Sequence, residues 1–332
     1  YGNWIGVRKA LLLFSLLMLV SGVMLFATTF FALILLACFI GNISTTGTEA
    51  GPFQSIETAV LPDFVSTNRR GRAFGAYNLI GYVSSSLGAF AASSPSYFAN
   101  SLGAFHYLYL LYGLSGLLLF FVYRSFRSFE NVRGPGANPK PARIPPRARD
   151  DITKLSILYS ADAFGGGFVS QSLLSYWFFL VYHVSLANLG IIFLIVNVIT
   201  AISTYGAPII AEKFGNLRTM VSTHLLSNLF LIGIPLVGSL NFALAFLFLR
   251  QSVSQMDVPT RQAFMIQVFE SGERVPANAV TNTVRNIGSI FGGPISGALL
   301  AAGLSSMPIL AGGFSKIIYD LAIFFSYRKR VD

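Results

Sequence analysis

Apolar residues run through this chain in long blocks rather than with a short period. A run of about 20 apolar residues is what crosses the roughly 30 Å of hydrocarbon in a bilayer as a helix. Ten such segments are predicted: 10–29, 30–51, 73–94, 105–123, 154–181, 187–211, 219–238, 240–265, 275–302 and 306–327. The second and eighth are expected to continue as amphipathic helix beyond the bilayer. One stretch breaks the pattern. Arg124 to Lys154 carries eight Lys/Arg, three acids and five prolines with almost no apolar periodicity. Proline fixes φ and removes a backbone donor, so this segment reads as a solvated basic linker, neither helix interior nor central strand. The expected organisation is a helical half over 1–123, a basic linker over 124–153 and a second helical half over 154–332.

Composition strengthens the membrane reading. The 332 residues are 54% hydrophobic and only 11% charged, with mean hydropathy +0.64. A soluble domain carries about 25% charged residues. The net charge of +10 would suggest nucleic acid in a soluble protein, but its placement argues otherwise, and no nucleic-acid partner is expected. Alternate connections receive Arg8 and Lys9; Arg69, Arg70 and Arg72; the linker; Lys213 and Arg218; Arg274; and Arg328, Lys329 and Arg330. The five opposite connections contain no Lys, Arg, Asp or Glu. That asymmetry orients the basic side to the cytoplasm, so both chain ends and the linker are expected there, in a multi-pass protein of the plasma membrane. Cys38 is the sole cysteine, which excludes an intrachain disulfide.

The two halves resemble each other. Asn3–Lys9 precedes the first segment, and Glu212–Arg218, 209 residues on, precedes the seventh. Glu49–Gln54 ends the second segment, and Met256–Arg261 stands 207 residues later in the eighth. Arg70–Asn78 opens the third, and Arg274–Asn282, at an offset of 204, opens the ninth. Three matches in order, at equivalent positions, point to an internal duplication.

These features resemble the major facilitator superfamily, in which two six-helix halves are joined by a long basic cytoplasmic linker. Its loop signature, Gly-x-x-x-Asp-Arg-x-Gly-Arg-Lys/Arg, is matched by Gly6, Arg8 and Lys9 in one copy, with Asn3 in place of the acid. Glu212, Lys213, Gly215 and Arg218 match it in the other. The run Gly288–Gly297 is similar to the Gly-Pro-rich stretch of the family's eleventh helix. The resemblance implies an all-α membrane protein of six-plus-six architecture. It makes the ten segments the family's third to twelfth helices, so that the first two would be missing.

Gly6 and Gly215 suit tight turns at positive φ. Gly71, Gly75, Gly88, Gly288 and Gly292 suit close helix packing. Ionisable residues inside spans carry the sharper signal, since each costs about 2.5–3.5 kcal/mol at a helix centre. Arg250, Asp257 and Arg261 recur at spacings that keep one helical face. Glu49 falls at nearly the equivalent place in the first half, Asp162 in the fifth segment and Arg285 in the ninth. Given the resemblance, Glu49, Asp162, Arg250, Asp257 and Arg285 are candidate substrate or proton-path residues. Arg261 reads equally well as a headgroup anchor. Lys316 and Asp320, four apart, are expected to neutralise each other on a peripheral helix. His224 is expected to be packed or hydrogen-bonded, and Glu57 and Asp63 to lie idle on a cytosolic extension.

No HExxH, GxSxG, phosphate-binding loop or Cys/His cluster with metal spacing occurs, so neither enzyme, metal nor cofactor is expected. The chain reads as a secondary active transporter of a small solute working by alternating access, with protons as the candidate coupling ion. The alternative is a transporter-fold membrane sensor or non-transporting partner protein.

Overall fold

The computed structural model describes residues 6–41, 43, 51–61, 64–66, 70–95, 102–126, 145–270 and 273–331. Among them all regular structure is helical. The chain divides into two compact units, Tyr1–Lys140 with Leu186–Ile191, and Pro141–Ser185 with Ile192–Asp332.

The first unit holds α1 (Val7–Ala27), α2 (Phe31–Gly41), α3 (Gly51–Val60), α4 (Arg70–Ser93) and α5 (His106–Ser125). Small residues bring α1 and α5 together. A Cβ on Gly116 would lie 2.9 Å from the Leu19 nitrogen and the Ser15 carbonyl oxygen, so nothing larger than hydrogen fits there. Such small-residue seams are how apolar helices gain contact where lipid offers no hydrophobic contrast. Ser21 donates to the Ala37 carbonyl at 2.7 Å and Tyr112 to the Gly41 carbonyl at 2.8 Å, which fastens α2 to both. Val7, Leu11, Val60 and Tyr123 form the buried core at one end.

Glu57 lies against this core rather than idle on an extension. It accepts from the Tyr77 hydroxyl of α4 at 2.6 Å and from the Tyr123 hydroxyl of α5. A partly buried carboxylate recruits donors because an unsatisfied charge away from water is costly. Asp63 lies outside the described residues. Gly88 has open space where a Cβ would stand, so the close packing expected there is not found.

The second unit holds α6 (Pro146–Phe168), α7 (Gln171–Tyr182), α9 (Asn216–Gly233), α10 (Leu240–Ser254), α11 (Asp257–Val268), α12 (Arg274–Ala301) and α13 (Met307–Val331). It also takes most of α8 (Leu186–Phe214). Helix α6 begins earlier than the sequence pattern suggests. Pro146 occupies its first turn, where the missing N–H costs nothing, so Arg147–Lys154 is helix rather than linker. The fifth apolar segment breaks at Val169–Ser170, and Ser170 caps α7 by accepting from the Leu173 N–H at 3.4 Å. The eighth breaks at Gln255–Met256. Pro259, the third residue of α11, has no N–H to return to the preceding turn.

Helices α6 and α12 meet at glycine, where a Cβ on Gly167 would lie 2.7 Å from the Ser289 carbonyl oxygen and 2.9 Å from the Cα of Gly292. Ser296 of α12 donates to the Phe168 carbonyl at 3.0 Å. The apolar core gathers Leu155, Tyr159, Met220, Phe264, Tyr319, Ile323 and Tyr327. Among the described residues, six helical stretches are long and apolar enough to cross a membrane.

Candidate functional site

Beside this core the second unit buries a cluster of charges. Asp162 is 2% exposed, Asp320 1%, His224 4% and Lys316 9%. They come from three helices: α6 supplies Asp162, α9 supplies His224 and α13 supplies Lys316 and Asp320. The Lys316 ammonium donates to Asp162 Oδ1 at 2.6 Å. His224 Nδ1 stands 2.7 Å from Asp320 Oδ1, and Asn228 Nδ2 donates to Asp320 Oδ2 at 2.9 Å. Lys316 and Asp320 were expected to pair with each other. Each instead reaches a neighbouring helix, because the crossings of α13 with α6 and α9 bring nearer partners than its own next turn.

His224 has two carboxylates within reach. With its proton on Nδ1 it donates to Asp320, and Nε2 then faces the Lys316 ammonium at 3.4 Å. Asp162 Oδ1 lies 3.6 Å from the same Nε2.

A second set of charges joins from α11. Arg261 lies 3.3 Å from Asp257 Oδ2, one turn away, and 3.6 Å from Asp162 Oδ2. Its guanidinium covers the Tyr159 ring at 5.5 Å. Asp257 is 6% exposed and the Arg261 side chain 14%. Asp162 is thereby approached by Lys316, His224 and Arg261, each from a different helix.

All this surrounds a cavity of about 70 Å³ lined by Asp162, His224, Arg250, Asp257, Arg261, Arg285 and Lys316, with Ser, Asn, Gln and Val neighbours. Four of the five candidate path residues named from the sequence (Asp162, Arg250, Asp257 and Arg285) thus converge on one space. Glu49 lies outside the described residues. The break at Gln255–Met256 does not separate Arg250 from Asp257, since both still face the cavity.

The loop-motif residues lie elsewhere. Gly6 and Gly215 share φ +84°, with ψ 145° and 153°, and each precedes a helix. Their carbonyls accept the first helical bonds, from Ala10 at 3.0 Å and Thr219 at 3.1 Å. Arg8 donates to the Arg124 carbonyl at 2.6 Å, tying the start of α1 to the end of α5. Lys9, Glu212, Lys213 and Arg218 are exposed, and Lys213 stands 5.7 Å from the Phe214 ring.

Sequence reasoning undervalued Lys316, Asp320 and His224. Three ionisable groups in otherwise apolar helices were the available signal. Asn228, one turn beyond His224 on the same face, was a further sign of a polar stripe.

Residues 1–293 match the Major Facilitator Superfamily, and the chain belongs to that family of multi-pass membrane transporters. It is 25% identical over 333 residues to the uncharacterized membrane protein YJR124C of Saccharomyces cerevisiae, covering 88% of this chain and 74% of that one. Among solved structures it is similar in fold to a peptide transporter, POT, with TM-score 0.71 and 13% identity over 98% of this chain and 81% of that one. It is also similar to the human organic anion transporter MFSD10, with TM-score 0.59 and 18% identity over 98% and 77% of the two chains.

Proposed function

We propose that the chain is a secondary active transporter that moves a small solute by alternating access and couples that movement to protons through the buried cluster of the second unit. Ten spans in two repeats, with the basic connections cytoplasmic in a plasma membrane, are the topology that goes with this reading. The shared backbone of Gly6 and Gly215 at an offset of 209 residues supports the repeat. The observation that carries the coupling is the position of Asp162, a buried carboxylate with Lys316 at 2.6 Å and Arg261 and His224 at 3.6 Å.

A carboxylate held by one cation is a fixed pair. One within reach of two cations and an imidazole, on three helices, can change partner when the helices shift. Protonating it weakens every one of those attractions together. Movement and protonation are thereby linked, because a buried charge that loses its partner costs several kcal/mol. His224 stands between Asp162 and Asp320 to take or deliver the proton.

Purified protein in proteoliposomes with an internal pH-sensitive dye, offered gradients of sugars, amino acids, organic acids and organic cations, tests this reading. Proton movement driven by one solute class, lost in Asp162→Asn and in Asp257→Asn, is the expected result. Solute flux without proton movement would reject the coupling. Ligand binding with no flux of any class would reject transport in favour of a sensor.

A further inference from the structure

The charges around the cavity do not balance. Arg250, Arg261, Arg285 and Lys316 line it against Asp162 and Asp257. Lys316 is taken by Asp162 at 2.6 Å and Arg261 by Asp257 at 3.3 Å. Asp320 stands behind this layer, engaged by His224 and Asn228. Arg250 and Arg285 are left over. Among the described residues neither has a carboxylate within ion-pair distance, and the Nε of each is buried with no hydrogen-bond partner. Arg250 reaches only the neutral Gln251, donating to its Oε1 at 3.1 Å.

A guanidinium keeps its charge at neutral pH, so these two cannot relieve the imbalance by losing a proton. Uncompensated buried charge costs several kcal/mol per ion, and the forked N–H donors of arginine match an anion's acceptors closely. Arg250 stands on α10 and Arg285 on α12, so a guest between them would join two helices. The cavity of about 70 Å³ holds several waters, each needing about 10–15 Å³ of such space. That is room for a chloride or a carboxylate head. Asp162 and Asp257 line the same cavity, each already engaged by a cation.

We propose that Arg250 and Arg285 bind an anionic group in this cavity, either the carboxylate head of the transported solute or a small inorganic ion. The first source rests on the transporter reading. The binding site itself does not.

The test is calorimetric titration of the full chain in lipid nanodiscs with sodium acetate, sodium chloride and acetamide, the neutral isostere of acetate. Saturable binding of acetate or chloride, and none of acetamide, is the expected result. Arg250→Gln and Arg285→Gln should each weaken binding about tenfold to a hundredfold, as expected for loss of a charge-assisted hydrogen bond. Lys154→Gln, on the exposed side of α6, should bind as the parent does.

Chloride binding that acetate fails to displace assigns the site to an inorganic ion. Displacement by acetate, together with flux of carboxylate solutes, assigns it to the solute's head. Anion binding retained in a protein that moves no solute would reject transport and leave the site standing. Absence of saturable binding to both salts, or equal affinity in the parent and both arginine variants, would overturn the proposal.

Discussion

Each unit draws several helices around a carboxylate, but the two carboxylates keep different company. Glu57 in the first unit is held by two neutral phenols, Tyr77 and Tyr123. Asp162 in the second lies among an ammonium, an imidazole and a guanidinium. At the offset of 207 that aligns Pro52 with Pro259, the residue standing where Glu57 does is Phe264. Phe264 is wholly buried and meets Tyr327 edge-on at 5.5 Å. The first unit therefore uses a hydrogen-bonded acid where the second uses an aromatic contact. Neutral donors give a carboxylate one good arrangement. Several competing cations give it more than one, which suits a part that must change state.

The comparison can be broken most severely at Asp162. Removing one partner of a buried charge pair costs about 3–5 kcal/mol, so Asp162→Ala should lower the thermal midpoint of purified protein more than any other single change considered. Lys316→Met added to it should recover much of the loss, because the stranded ammonium goes too. An unrecovered double variant would show that Asp162 acts by packing rather than by charge.

Glu57→Gln comes next. Hydrogen bonds to a charged group contribute about 1.5–3 kcal/mol each, and the amide oxygen keeps part of them. A fall in midpoint with transport coupling unchanged is expected, which separates a structural acid from a functional one. Loss of coupling in this variant would erase the distinction between the units.

Gly167→Val probes the seam between α6 and α12. With backbone atoms within 3 Å of any added Cβ, overpacking should cost about 1–3 kcal/mol, read as a lower midpoint and accelerated proteolysis. The mildest test is Gly6→Ala against Gly215→Ala. At φ +84° with ψ 145° and 153° each should lose about 1–3 kcal/mol, and near-equal losses are expected of equivalent positions. Strongly unequal losses would argue against the repeat.

Much of the helical layout was legible because membrane-length apolar runs leave little choice of structure. The breaks were less so. Pro259 marked the one after Gln255, but the break at Val169–Ser170 has no proline and follows Gly165–Gly167, which also serves packing. Arg147–Lys154 looked like linker because polarity and neighbouring prolines outweighed a helix start at Pro146. Asp162, Arg250, Asp257 and Arg285 stood out by the cost of charge in an apolar span. Their partners did not. Which helix Lys316 or Glu57 reaches depends on helix crossings, and an i,i+4 spacing such as Lys316 to Asp320 suggests a local pair that the fold overrides.

The most direct measurement uses the charge-neutral pair Asp162→Asn/Lys316→Met, which avoids stranding a charge. In proteoliposomes, with a solute that the parent accumulates, counterflow exchange and accumulation driven by a proton gradient would be compared. The account predicts that exchange persists while gradient-driven accumulation is lost, since the solute path survives and the proton's seat is gone. Accumulation at the parent's level would contradict it and remove Asp162 from the coupling path.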